Sequence, residues 1–134
     1  MKLPPELAGR PTVLYAYPAD FTPGCTLEAQ DFARLHSQFM AAGWHVAGIS
    51  PDSEAKHAKF CEAEHLPFAL ISDPDKKRLA ELGAWGEKKN YGKAYLGVIR
   101  STFLLDAAGT VVHAWRNVKA KGHAEKVLAY VQSL

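Results

Sequence analysis

Residues 12–17, Thr12-Val13-Leu14-Tyr15-Ala16-Tyr17, form an apolar run with almost no polar alternation. Such a run fits a strand covered on both faces, because successive side chains point to opposite sides of the pleat. A sheet buried on both sides needs helices above and below it. This one segment therefore narrows the chain to an α/β architecture.

The segments that follow agree with it. Residues 24–42 carry Phe32, Leu35 and Phe39 at three- and four-residue spacing, which predicts a helix that Gly43 ends. Residues 46–50 read as a second strand. Ser53 is placed to cap a helix reaching about residue 65. Residues 69–72 read as a short strand. Asp73 or Asp75 starts a short helix that ends near Gly83. Residues 101–105 and 110–115 flank Asp106-Ala107-Ala108-Gly109, a hairpin signal. Residues 122–131 close the chain as a helix. This order predicts a thioredoxin-like fold with a mixed central sheet flanked by helices.

The chain has 134 residues, enough for one domain with a substantial core, and neither repeats nor low-complexity linkers divide it. The expectation is a single domain, 1–134. Its 48% hydrophobic and 22% charged residues are ordinary for a globular protein. The net charge of +2 is spread along the chain with no basic stripe, which argues against a nucleic-acid partner. The basic clusters Lys76-Lys77-Arg78 and Lys88-Lys89 adjoin Asp75 and Glu87 and read as solvated surface. No stretch approaches the roughly twenty apolar residues of a membrane helix. Met1-Lys2-Leu3-Pro4-Pro5-Glu6 lacks the apolar core of a signal peptide, so the expected location is the cytoplasm. The two cysteines, Cys25 and Cys61, read there as catalytic rather than as a structural staple.

Cys25 has the more telling surroundings. In Pro18-Ala19-Asp20-Phe21-Thr22-Pro23-Gly24-Cys25-Thr26-Leu27-Glu28 it follows the first strand and falls in the first turn of a helix. The unpaired N–H groups and positive end of that helix favour a thiolate, the attacking form of the sulfur. A free cysteine is often a small buried hydrophobe, but the Thr, Pro and Gly around this one make a turn, not a core stretch. Cys61, in the second helix beside Ala58, is equally well read as a buried helix residue. His57 and His65 stand four residues either side of it, but no further ligand set accompanies them, so no metal and no cofactor are expected. Trp44, Trp85 and Trp115 read as packing residues.

Several spaced motifs then resemble one family, the peroxiredoxins of the bacterioferritin comigratory protein or Q-type group. Pro18-x-x-x-Thr22-x-x-Cys25 is similar to the peroxidatic loop. Trp85-Gly86-Glu87-Lys88-Lys89, Tyr91-Gly92-Lys93, Arg100-Ser101-Thr102-Phe103-Leu104-Leu105-Asp106 and Val118-Lys119-Ala120-Lys121-Gly122-His123-Ala124 are close to that subgroup. The resemblance runs from about Arg10 to the C-terminus. It implies a thiol-dependent peroxidase acting on hydrogen peroxide and organic hydroperoxides. Cys25 would attack the peroxide and become a sulfenic acid, with Arg100 and Thr22 at the substrate. Pro18 and Gly24 would also lie in the substrate-binding site, Pro18 and Pro23 would shape the loop, and Glu28 would hold Arg100. On the residues alone, Arg100 reads more readily as a surface strand residue, and Thr22 as a helix cap.

The chain departs from the family pattern in two places. Members usually carry an additional N-terminal segment with a strand hairpin, which this domain is expected to lack. Many also place a resolving cysteine five residues after the first, where this chain has Gln30. A second subgroup places it in the following helix, which makes Cys61 the candidate. The resemblance further implies recycling by thioredoxin or another thiol reductant, and a monomer. Two other readings stand beside it. One is a thiol–disulfide oxidoreductase, since Thr22-Pro23-Gly24-Cys25 looks like a Cys-x-x-Cys site whose first cysteine is threonine. The other is a non-catalytic binding module or holdase on the same fold.

Overall fold

The computed structural model describes residues 7–134, and the N-terminal segment read for a signal peptide lies outside them. The elements are β1 (Thr12–Ala16), α1 (Pro23–Ala41), β2 (His45–Ser50), α2 (Glu54–Glu64), β3 (Ala69–Ser72), α3 (Lys77–Glu81), β4 (Trp85–Asn90), β5 (Lys93–Val98), β6 (Ser101–Leu105), β7 (Val111–Trp115) and α4 (His123–Gln132). Five strands form one sheet in the order β3-β2-β1-β6-β7, and β4 and β5 form a separate two-stranded ribbon. β1 runs parallel to β2 and antiparallel to β6, so the central sheet is mixed.

Every residue of β1 is buried, as the apolar run requires. Val13, Tyr15 and Tyr17 face one core with Phe32, Leu35 and Phe39 of α1 and Val127, Leu128 and Val131 of α4. Leu14 and Ala16 face the other core with Ile49, Leu79, Phe103 and Leu105. Tyr15 stacks on Phe32 with ring centroids 4.7 Å apart. Gly48 of β2 makes room for this aromatic layer. A Cβ there would lie 2.9 Å from Tyr15 Cζ and 2.8 Å from Leu70 Cδ2, closer than side chains sit.

Capping sets the helix bounds. Ser53 Oγ accepts from the Lys56 N–H, the expected N-cap bond of α2. The third helix starts later than residues 73 or 75. Those two aspartates instead accept from it, Asp73 Oδ2 from the Leu79 N–H and Asp75 Oδ1 from the Lys77 N–H. The β6–β7 hairpin forms as expected, with Asp106 Oδ1 accepting from the N–H groups of Ala108 and Thr110. Sequence reading did not find the ribbon of β4 and β5, because most of its side chains are polar or exposed.

This topology gathers one corner of the molecule. β1 ends at Ala16, and the next residues lead through a turn into α1. β6 pairs antiparallel with β1, with Ser101 opposite Ala16. Arg100, just before β6, is thereby carried to the place where the chain turns towards Cys25.

Candidate active site

Thr22 is the N-cap of α1, with extended backbone, and Pro23 opens the first turn. Pro is tolerated there because its missing N–H would have had no intrahelical partner. Cys25 falls in the same first turn and is buried at 1% exposure. Its sulfur thus lies at the positive end of a 19-residue helix.

Arg100 binds both partners expected for it. Its Nη2 donates to Cys25 Sγ at 3.2 Å, and its Nη1 donates to Glu28 Oε1 at 2.6 Å. Gly24 lets the guanidinium approach, since a Cβ at that position would sit 3.3 Å from Arg100 Nη2. Glu28 is one turn beyond Cys25 and has no exposed surface. Burial raises its pKa to about 7, and the charge and hydrogen bond of Arg100 oppose that rise. Burial alone would lower the Arg100 pKa, but Glu28 and Cys25 outweigh it and hold the guanidinium firmly charged. A fixed cation therefore touches a sulfur that lies in the first turn of a helix.

Thr22 does not cap the helix through its side chain. Its Oγ1 donates to Ala19 O at 2.8 Å, which occupies the hydroxyl proton and leaves the oxygen as an acceptor. The side chain is exposed. Pro18 is half-buried and Pro23 exposed at the same loop. Tyr15 lies beneath, with its pKa raised by burial and then by Glu28 and Cys25. Its hydroxyl and Glu28 Oε2 are the buried side-chain oxygens without a hydrogen-bond partner among the described residues.

Cys61 stands in the last turn of α2 and is half-buried and unpaired. Burial, then the charge of Asp20, pushes its thiol pKa up. In this conformation Cys61 is thus kept as a thiol. The structure does not join it to His57 and His65. Among the described residues, the potential ligand group contains Asp20, Asp52 and His57. Protein groups already engage these atoms. Tyr17 donates to Asp20 Oδ1, His57 Nδ1 meets Asp20 Oδ2, and Asp52 accepts from the Asp20 N–H, Ser50 Oγ and Lys56 Nζ.

Sequence reasoning missed this second cluster. Asp20 lies inside the loop motif and His57 lies four residues before Cys61. Their pairing joins residues 37 apart, which periodicity does not reveal.

The arrangement sets a buried sulfur at a helix start in contact with a fixed cation, with an acceptor hydroxyl at the loop surface. Comparisons with known proteins agree. The AhpC/TSA family profile matches residues 3–114. The chain is 44% identical over 129 residues to peroxiredoxin Bcp of Bacillus subtilis, covering 96% of this chain and 82% of that one. It is 51% identical over 122 residues to a putative peroxiredoxin of Mycobacterium tuberculosis, covering 91% and 78%. A solved structure of Xanthomonas campestris peroxiredoxin Q superposes with a TM-score of 0.87 at 46% identity, covering 94% of this chain and 80% of that one. The chain belongs to the AhpC/TSA family and, within it, to the Bcp or Q-type peroxiredoxins.

Proposed function

We propose that this thiol-dependent peroxidase reduces hydrogen peroxide and organic hydroperoxides at Cys25. The observation that carries the reading is the Arg100 guanidinium bridging Cys25 Sγ and Glu28 Oε1 at the start of α1. The sulfur electron pair attacks one peroxide oxygen and the O–O bond breaks. Cys25 becomes a sulfenic acid, and the second oxygen leaves as water or alcohol after taking a proton. Arg100 stabilises the charge that develops on the oxygens. Thr22 Oγ1 accepts from the peroxide O–H, a role its bond to Ala19 O leaves open. Pro18, Pro23 and Gly24 give the loop its shape, and Glu28 orients Arg100. One relative supports the substrate class: Xanthomonas campestris bacterioferritin comigratory protein, 44% identical, is described with a trapped intermediate in alkyl peroxide reduction.

Cys61 resolves the sulfenic acid in this reading. Its sulfur attacks Cys25 Sγ, the S–O bond breaks, and the oxygen leaves as water. Two Xanthomonas peroxiredoxin Q structures carry serine in place of cysteines separated by the same number of residues as Cys25 and Cys61. A dithiol reductant of thioredoxin type then restores both thiols. The protein acts as a single-domain cytoplasmic monomer; no described helix is long and apolar enough to cross a membrane.

The test is peroxide consumption with a thiol reductant, followed by intact mass after one equivalent of peroxide. Cys25→Ser is expected to abolish turnover. Cys61→Ser is expected to react once and stall as a sulfenate. Turnover by the Cys25 variant would refute the assignment, and an insulin-reduction assay would then test the oxidoreductase alternative.

A further inference from the structure

Helix α2 is attached to the molecule by few side chains. Of its eleven residues, His57 and Phe60 are the buried ones. Both reach the loop that leads into Cys25, and they reach adjacent residues of it. His57 Nδ1 lies 2.6 Å from Asp20 Oδ2. Phe60, with no exposed surface, meets Phe21 edge-on with ring centroids 5.0 Å apart. Phe21 is half-exposed and holds a left-handed backbone, φ 66, which a bulky residue adopts only when its surroundings impose it. The Asp20 N–H also donates to Asp52 Oδ2 at 2.7 Å, just before α2.

The polar half of this attachment is strong for a countable reason. His57 Nε2 faces the Ile71 carbonyl at 3.1 Å, while Nδ1 faces the Asp20 carboxyl. Both neighbours are acceptors, and a neutral imidazole has one N–H to offer. Both ring nitrogens are thus engaged, and the 2.6 Å approach of Nδ1 to Asp20 Oδ2 is the shorter of the two. Tyr17 donates to the other Asp20 oxygen at 2.5 Å. Asp20 and His57 are each at most 3% exposed. Withdrawing one of them leaves the other buried and unpaired, which is costlier than withdrawing both.

We propose that Asp20, Phe21, His57 and Phe60 are positioning residues that form a clasp. The clasp makes unwinding of the Cys25 loop and release of the Cys61 helix a single event, and so sets how fast the sulfenic acid is resolved. This rests on Cys61 as the resolving cysteine. Neither segment keeps its burial without the other, so states with one segment released are disfavoured against both docked or both free. With the clasp closed, Cys25 stays at Arg100 and reacts with peroxide. With it open, the two sulfurs are free to meet.

The two chemical steps should respond in opposite directions when the clasp is weakened. Asp20→Asn keeps the acceptor for Tyr17 and still offers a polar group to His57, but it removes the carboxyl oxygen that His57 Nδ1 meets. Asp20→Ala and Phe21→Ala remove a whole contact. Rapid-quench mass spectrometry on the full chain measures sulfenate formation and disulfide formation separately. We expect disulfide formation to rise on the order of tenfold in Asp20→Ala and Phe21→Ala, and by less in Asp20→Asn. Sulfenate formation should fall, and less Cys25 should be overoxidised at high peroxide. General damage would slow both steps; that result, or unchanged disulfide formation in all three variants, overturns the proposal. Hydrogen exchange on the reduced variants provides the second readout. Both the first turn of α1 and residues 54–64 should lose protection in Asp20→Asn. Loss confined to the loop contradicts the clasp, even if Cys61 proves not to be the resolving cysteine. Absence of a Cys25–Cys61 disulfide in the wild type, with joint loss of protection, would instead refute the resolving assignment alone.

Discussion

The two cysteine-bearing helices are held to the protein in different ways. In α1, Cys25, Glu28, Ala29, Phe32, Leu35 and Phe39 are buried, and Cys25, Phe32, Leu35 and Phe39 pack into the core with Val13, Tyr15 and Tyr17. In α2 the buried residues are His57 and Phe60, and the former is held by polar contacts. Burial of an amphipathic face is what keeps most helices in place, so α1 is anchored along its length and α2 is not. The difference suits the two proposed tasks. A nucleophile must be presented to peroxide with its sulfur at a fixed distance from Arg100. A resolving thiol must leave its helix. Only the first turn of α1 has to yield, while most of α2 is free to.

Replacing the anchor of α1 is the strongest way to break this contrast. Phe32→Ala removes a fully buried ring that stacks on Tyr15, and should lower global stability by about 3–5 kcal/mol. Chemical denaturation measures it. A loss below about 1 kcal/mol would mean that α1 is no better anchored than α2.

Arg100→Lys tests the fixed side of the site. It keeps the charge but loses the planar fork that reaches Cys25 and Glu28 together. The second-order rate with peroxide should fall about a hundredfold, as when a single oxyanion donor is removed. An unchanged rate would place Arg100 outside the chemistry.

In α2, Ala58→Gly at an exposed interior position should cost about 1 kcal/mol of helix stability. Its signature is faster amide exchange at residues 54–64 with the exchange of residues 29–41 unchanged. Equal acceleration in both helices would show that they open as one unit.

A pH series sharpens the α1 side with a smaller effect. His123 of α4 stands edge-on to Phe32 and its Nε2 contacts Thr102 Oγ1 at 2.8 Å. Burial, then Lys126 and Arg100, lowers its pKa to about 4. The folded state therefore binds fewer protons there than the unfolded state. Its stabilising effect is complete above about 6.5 and is lost as pH falls through about 4. Glu28 works the other way: its pKa is raised to about 7, so its contribution is complete below the ordinary carboxylate range and is lost as pH rises through about 7. The difference in stability between wild type and His123→Gln isolates the histidine. That difference should shrink on acidification between about pH 6.5 and 4, and a flat difference would contradict the buried neutral imidazole.

What could be read from the sequence follows the same division. β1 and β6 were legible because all five residues of each are buried and mostly apolar. The body of α1 was legible from Phe32, Leu35 and Phe39. Cys25 stood out because its turn residues contradict a core role. Arg100, by contrast, is unremarkable in its local sequence and gained a role only from the family resemblance. The ribbon escaped notice because Glu87, Lys89, Tyr91, Tyr95 and Leu96 are all exposed, leaving no buried alternation to detect. The clasp escaped notice because α2 reads Glu-Ala-Lys-His-Ala-Lys-Phe-Cys-Glu-Ala-Glu, with no apolar face. Its attachment depends on a buried polar pair, and nothing in the spacing of residues shows that Asp20 and His57 meet.

The most direct test compares amide hydrogen exchange in the reduced protein and in the peroxide-oxidised protein, with the Cys25–Cys61 disulfide confirmed by mass. The account predicts that oxidation strips protection from residues 54–64 and from the first turn of α1, while residues 29–41 stay protected. Equal protection of both helices in the two states, with the disulfide present, would contradict it.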